Sequence, residues 1–97
     1  MKFSSNIKLL RKRKGRTQDE MAMTLKMKRS TLSGYENEIA RPNISALIAL
    51  SEYFEVSIDT LVKTDLSLLS ESQLSELERG NDIYIKGSQL RVLTTTV

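Results

Sequence analysis

The sequence has 97 residues, 39% of them apolar and only 5% aromatic, and it contains no cysteine, histidine or tryptophan. That length holds one compact domain with a tail, and the missing Cys and His exclude disulfides, Cys–His catalysis and the usual soft-metal sites. The net charge of +3 hides a division, with residues 1–41 at +7 and residues 42–97 at −4, so the first half is suited to a polyanion.

A core drawn from Leu, Ile, Met and Ala, with one proline and four glycines, points to an all-α fold. Residues 3–14 carry Phe3, Ile7 and Leu10 at helical spacing, with Ser4 or Ser5 as the N-cap and Gly15 as the left-handed residue after the helix. Thr17-Gln18-Asp19-Glu20 reads as a capping box that opens a second, two-turn helix with Met21, Ala22 and Leu25 as its stripe. A tight turn follows, with Met27 as its buried plug, and a third helix is predicted over residues 29–36.

Residues 37–42 form a loop, because Pro42 disfavours helix at Arg41. Asn43 then caps a helix with Ile44, Leu47, Ile48, Ala49, Leu50 and Phe54. It is apolar around most of its circumference, so it is expected to be the central helix of the core. Ser57 caps a fifth helix whose Ile58, Leu61 and Val62 are expected to face inward. Beyond Lys63 the chain turns acidic and Ser/Leu-rich: Ser70 and Gln73 form another capping box, residues 80–82 a turn, and residues 91–97 a β-prone end that suggests truncation. The division expected is 1–64 for the main domain and 65–97 for a linker or dimerisation extension.

The block at residues 17–41, TQDEMAMTLKMKRSTLSGYENEIAR, resembles the helix-turn-helix of the phage-repressor and xenobiotic-response-element (Cro/C1-type) family. The resemblance extends over residues 5–63. It is carried by Arg11, Gly15, Thr17-Gln18, Met21-Ala22, Leu25, Leu32-Ser33, Tyr35-Glu36, Pro42, the apolar helix that follows, and Val56-Ser57. It implies a five-helix lambda-repressor-like domain that binds double-stranded DNA. Packing of Met21, Ala22 and Leu25 on Leu32 and Tyr35 would leave one side of the third helix outward, carrying Lys28, Arg29, Ser30, Ser33 and Gly34, narrow enough for the major groove.

Arg29 is the leading base reader, since Arg bonds guanine O6 and N7 bidentately; a phosphate clamp is the alternative. Lys28 and Ser30 serve base or backbone, and Gly34 either admits close approach of the DNA or has drifted. Thr17, Gln18, Asn37, Arg41, Lys12 and Lys14 are the expected phosphate contacts, with plain solvation of each lysine as the alternative. The resemblance also implies a salt bridge between Arg11 and Glu36 that sets the angle of the recognition helix. Two positions depart from the family: Lys26 replaces the glycine of the turn, so its backbone must avoid φ > 0 or bear strain, and Lys28 replaces a Ser/Thr cap.

The tail at residues 82–97, DIYIKGSQLRVLTTTV, resembles the connector of longer Bacteroides-type repressors with a signal-peptidase-like C-terminal domain, implying that such a domain is missing here. A homodimer on an inverted repeat is expected. Leu66, Leu68, Leu69, Leu74 and Leu77 either form the dimer contact, the favoured reading, or fold back onto their own domain. The rival readings are an antitoxin-like module whose acidic Leu-rich tail grips a protein, and an RNA-binding helical domain lacking the aromatic platforms that RNA readers use. Serines without an organised base are caps, so no enzyme and no cofactor is expected. No run nears the roughly 20 apolar residues of a membrane span and no signal peptide is evident, so the expected setting is cytoplasmic.

Overall fold

The computed structural model describes residues 2–80 in full and residues 83–85 and 88–90 as backbone. Six helices run in the order α1 (Lys2–Arg13), α2 (Gln18–Thr24), α3 (Arg29–Glu36), α4 (Ile44–Phe54), α5 (Ile58–Lys63) and, after a 3-10 turn at Leu66–Leu68, α6 (Glu71–Glu78). An antiparallel strand pair follows, β1 (Ile83–Ile85) and β2 (Ser88–Leu90), with Tyr84 opposite Gln89. The strand expected at residues 91–97 lies outside the described residues. No helix among those described is long and apolar enough to cross a membrane.

The centre of the core is α1, not α4. Phe3 and Ile7 are fully buried and Leu10 nearly so, and around them gather Met21 and Leu32 from the α2–α3 pair and Leu61 from α5. On α4 only Leu50, Ser51 and Phe54 are buried, while Ile44 and Ile48 are exposed. A helix that is apolar all round satisfies its inward face with one stripe, and composition alone does not say which stripe. On α5 the buried residues are Thr60 and Leu61, with Ile58 and Val62 half-buried.

Helix ends follow local chemistry. Thr17 and Glu20 exchange hydrogen bonds of 3.1 and 2.9 Å in a complete capping box, as do Ser70 and Gln73. Asn43 and Ser57 accept from the third residue of their helices at 2.8 and 3.0 Å. Neither Ser4 nor Ser5 caps α1, because the helix already begins at Lys2: Ser4 is buried in it and the Ser5 hydroxyl donates to the Lys2 carbonyl. Gly15 ends the helix at φ +72°.

The leucine-rich extension folds back. Leu66, Leu69, Leu74 and Leu77 enter the same core as α1 and only Leu68 stays out, so the leucines favoured as a dimer contact are used within the chain. Asn6 fixes the start of this return. Its side chain is 1% exposed, and its Nδ2 donates to the carbonyls of Leu61 (2.8 Å) and Thr64 (2.6 Å) while its Oδ1 accepts from the Leu66 N–H (3.0 Å). Buried polar groups persist where every partner is present. Outside the core, Arg13 closes the arrangement with both Glu71 (2.8 and 3.0 Å) and Glu78 (3.0 and 2.7 Å) of α6. Those hydrogen bonds, led by Glu78, push the Arg13 guanidinium above its ordinary range.

Candidate nucleic-acid interface

The candidate surface is built on α2 and α3, and the sequence explains their crossing. Ala22 is 2% exposed and small, so α3 approaches α2 closely there, with Met21 and Leu32 buried between them. The turn between them is held by Met27 N–H donating to the Ala22 carbonyl at 2.9 Å, and Met27 itself is half-buried against the core. Lys26 occupies that turn at φ +55°, so this non-glycine residue bears the left-handed strain. Phe3 meets Tyr35 edge to face, centroids 6.4 Å apart, anchoring the inner side of α3 to α1.

A buried polar network sets the orientation of α3. Arg11 Nε donates to Glu36 Oε2 at 2.7 Å and Arg11 Nη2 to Glu36 Oε1 at 3.0 Å, with side-chain exposures of 10% and 1%. A third guanidinium nitrogen donates to the Arg16 carbonyl at 2.8 Å. Gln18 Nε2 adds a bond to Glu36 Oε1 at 3.1 Å, so α1 and α2 both hold the one carboxylate of α3, and the loop is tied in through Arg11. Its hydrogen bonds hold Arg11 above its ordinary pKa range, against the opposing effect of burial. A bidentate pair of this kind fixes angle as well as distance.

Lys28, Arg29 and Ser30 are exposed at the start of α3. Lys28 stands at the N-cap without a side-chain bond to the helix, so the first N–H groups of α3 have no side-chain cap. Arg29 is 65% exposed and its Nε lies 3.6 Å from Asp19 on α2, a contact worth little in water. Asp19 was not singled out in the sequence; the signal was an acid in the first turn of a helix that crosses the next one near its start. Ser33 is half-buried and accepts from Asn37 Nδ2 at 3.1 Å.

Gly34 does not belong to the outward side. It is buried, its carbonyl accepts from the Ile39 and Ala40 N–H groups at 2.9 and 3.2 Å, and an added Cβ would lie 3.4 Å from the Ala40 Cβ. The glycine therefore faces the loop that follows α3.

Among the other cations and polar groups, Lys12, Thr17, Asn37 and Arg41 are exposed. The Thr17 hydroxyl is already engaged as the cap of α2, and the Gln18 amide is turned to Glu36. Lys14 lies with its Nζ 5.0 Å from the Tyr53 ring centroid, a cation–π contact with α4. Arg16, exposed between α1 and α2, is a further cation on this side that sequence reasoning passed over.

The helix-turn-helix family profile matches residues 7–61. The HTH-type transcriptional activator BcrR of Enterococcus faecalis is 32% identical over 75% of this chain and 36% of its own length. From Bacillus subtilis (strain 168), the uncharacterized HTH-type transcriptional regulator YqaE is 39% identical over 63% of this chain and 53% of its own. The regulator ImmR from the same strain is 33% identical over 76% and 59%. This chain thus spans about a third to three-fifths of these relatives. A chain of a SinR protein/SinI protein complex superposes with a TM-score of 0.63 at 28% identity, covering 75% of this chain and 72% of that one. The relatives bear the names of transcriptional regulators. With the matched segment spanning the five helices that build and support α3, the chain belongs to the Cro/C1-type helix-turn-helix family.

Proposed function

We propose that this chain is a sequence-specific DNA-binding transcriptional regulator, acting as a repressor, whose α3 enters the major groove. Two copies bind an inverted repeat with half-sites about one helical turn apart, roughly 34–36 Å. Residues 1–64 form the DNA-binding unit and residues 65–97 its extension. Arg29 is the principal base reader, with Lys28, Ser30 and Ser33 beside it; Lys12, Lys14, Thr17, Gln18, Asn37 and Arg41 hold phosphates.

One observation carries the reading: exposed Lys28, Arg29 and Ser30 sit at the uncapped start of a helix whose angle is fixed by the buried Arg11–Glu36 pair. Cationic side chains and free N–H groups at a helix start attract phosphate, while a rigid angle is needed to bring side chains to base edges. Gln18 would exchange its bond to Glu36 for one to a phosphate oxygen.

Footprinting across a salt series, on DNA upstream of the chain's own gene, tests this. A protected palindrome whose affinity falls steeply with salt is expected. Binding that is blind to sequence would overturn it. A reporter placed behind the protected site should be silenced; activation would overturn repression alone.

A further inference from the structure

The seam between α2 and α3 continues outward past its buried residues. Ala22 and Leu32 lie within it, at 2% and 0% exposure, and one turn before each, on the same faces, stand Asp19 and Arg29. Their side chains are 71% and 65% exposed, and Asp19 Oδ1 lies 3.6 Å from Arg29 Nε. The first turn of α2 holds two acids with different uses. Glu20 closes the capping box with Thr17, which already supplies the α2 dipole with a carboxylate. Asp19 takes no part in that box and faces α3 instead. Both ends of the pair stand on fixed helices, α2 through its capping box and α3 through the Arg11–Glu36 bridge.

We propose that Asp19 is a positioning residue for base reading: it holds the Arg29 guanidinium at Nε and leaves the Nη1–Nη2 end to meet guanine O6 and N7. The proposal rests on the DNA reading above and deepens it. An exposed arginine must order several side-chain torsions to meet a base, and that entropy is lost on binding. A carboxylate on the neighbouring helix restricts those torsions beforehand, so less is lost. In the free protein the pair is long and screened by water, and it contributes little to stability. Between protein and DNA that water is displaced, so the same two charges attract more strongly and the pair tightens. The carboxylate also repels phosphate, which disfavours the alternative in which Arg29 clamps the backbone. Asp19 thus weights Arg29 toward bases.

A double-mutant cycle tests this. Wild type, Asp19→Asn, Arg29→Ala and the double variant are each titrated with a duplex selected in vitro by the wild type and with its single-base variants. At the base pair where Arg29→Ala acts, Asp19→Asn should lower selectivity at least about three-fold and leave the other base pairs unchanged. In the Arg29→Ala background the same substitution should change no base preference. An acid that serves only the α2 dipole would shift the urea midpoint and leave selectivity intact, and that result would overturn the proposal. An equal loss at every base pair, or a loss that persists without Arg29, would overturn it too. The two readings fail separately. If Arg29→Ala loses selectivity and Asp19→Asn does not, the role of Asp19 falls and base reading stands; if Arg29→Ala changes no preference, base reading falls and takes the role of Asp19 with it.

Discussion

The helices α1 and α4 invert what their compositions suggest. The basic, polar α1 carries the centre of the core on three side chains, whereas α4, the most apolar helix, leaves Ile44 and Ile48 outside. Burial follows the phase of a stripe and the partners available to it. In α1 the residues at positions 3, 7 and 10 coincide with the inward side and the cations occupy the rest. In α4 the apolar residues exceed what the core accepts, and Ile44 and Ile48 are left exposed.

The largest expected effect is the one that would break this contrast. Ile7→Ala should lower stability by about 2–5 kcal/mol, as for other full truncations in a packed core. Ile48→Ala, at an exposed position, should cost less than about 1 kcal/mol. Urea midpoints with unchanged slopes measure both, and similar losses at the two positions would contradict the placement of the core.

Next in size is Asn6, the polar member of the α1 side that faces α5. Asn6→Leu preserves the volume and would suit an apolar stripe. It should nevertheless destabilise by about 1–3 kcal/mol, because the Leu66 N–H and the Leu61 and Thr64 carbonyls lose their partner. Smaller is Gly34→Ala, whose new Cβ meets Ala40 at an ordinary contact distance. It should gain up to about 1 kcal/mol from helix propensity and leave DNA affinity unchanged. Weaker DNA binding would return Gly34 to the DNA-facing side.

The smallest effect is that of pH on the exposed caps and clamps. Hydrogen bonds from Thr17, its backbone N–H foremost, hold the Glu20 carboxyl below its ordinary value, and Arg13 does the same for Glu71. A depressed folded-state pKa contributes stability at higher pH that is lost as these groups protonate. The urea midpoint should therefore be level from about pH 5 to 7 and decline as the pH falls through about 4.5 and below. Glu71→Gln should remove part of that decline, and high salt should weaken it further.

Where structure is decided by neighbours in the chain, it was legible in the sequence. The bounds of α3, the capping boxes at Thr17 and Ser70, the caps at Asn43 and Ser57 and the role of Gly15 all rest on groups within a few residues of one another. What was not legible lies across long separations. Asn6 meets the Leu66 N–H across 60 residues, and Arg13 meets Glu78 across 65, so neither contact leaves a periodic trace. The leucines beyond Lys63 looked surplus because the core they enter is built around α1, at the opposite end of the described chain. At the candidate interface, Lys28, Arg29 and Ser30 were readable as an exposed helix start, while the burial of Gly34 was not, because the loop that covers it is irregular.

In the proposed function α3 reads bases through Arg29, on a helix held by Arg11 and Glu36. Its most direct test is the affinity of the wild type, Arg29→Ala and Lys12→Ala for a DNA duplex selected in vitro and for every single-base variant of it. Arg29→Ala should lose about 1–3 kcal/mol of discrimination at one base pair of each half-site, while Lys12→Ala should weaken all duplexes alike. A uniform loss with Arg29→Ala, leaving every base preference intact, would contradict it.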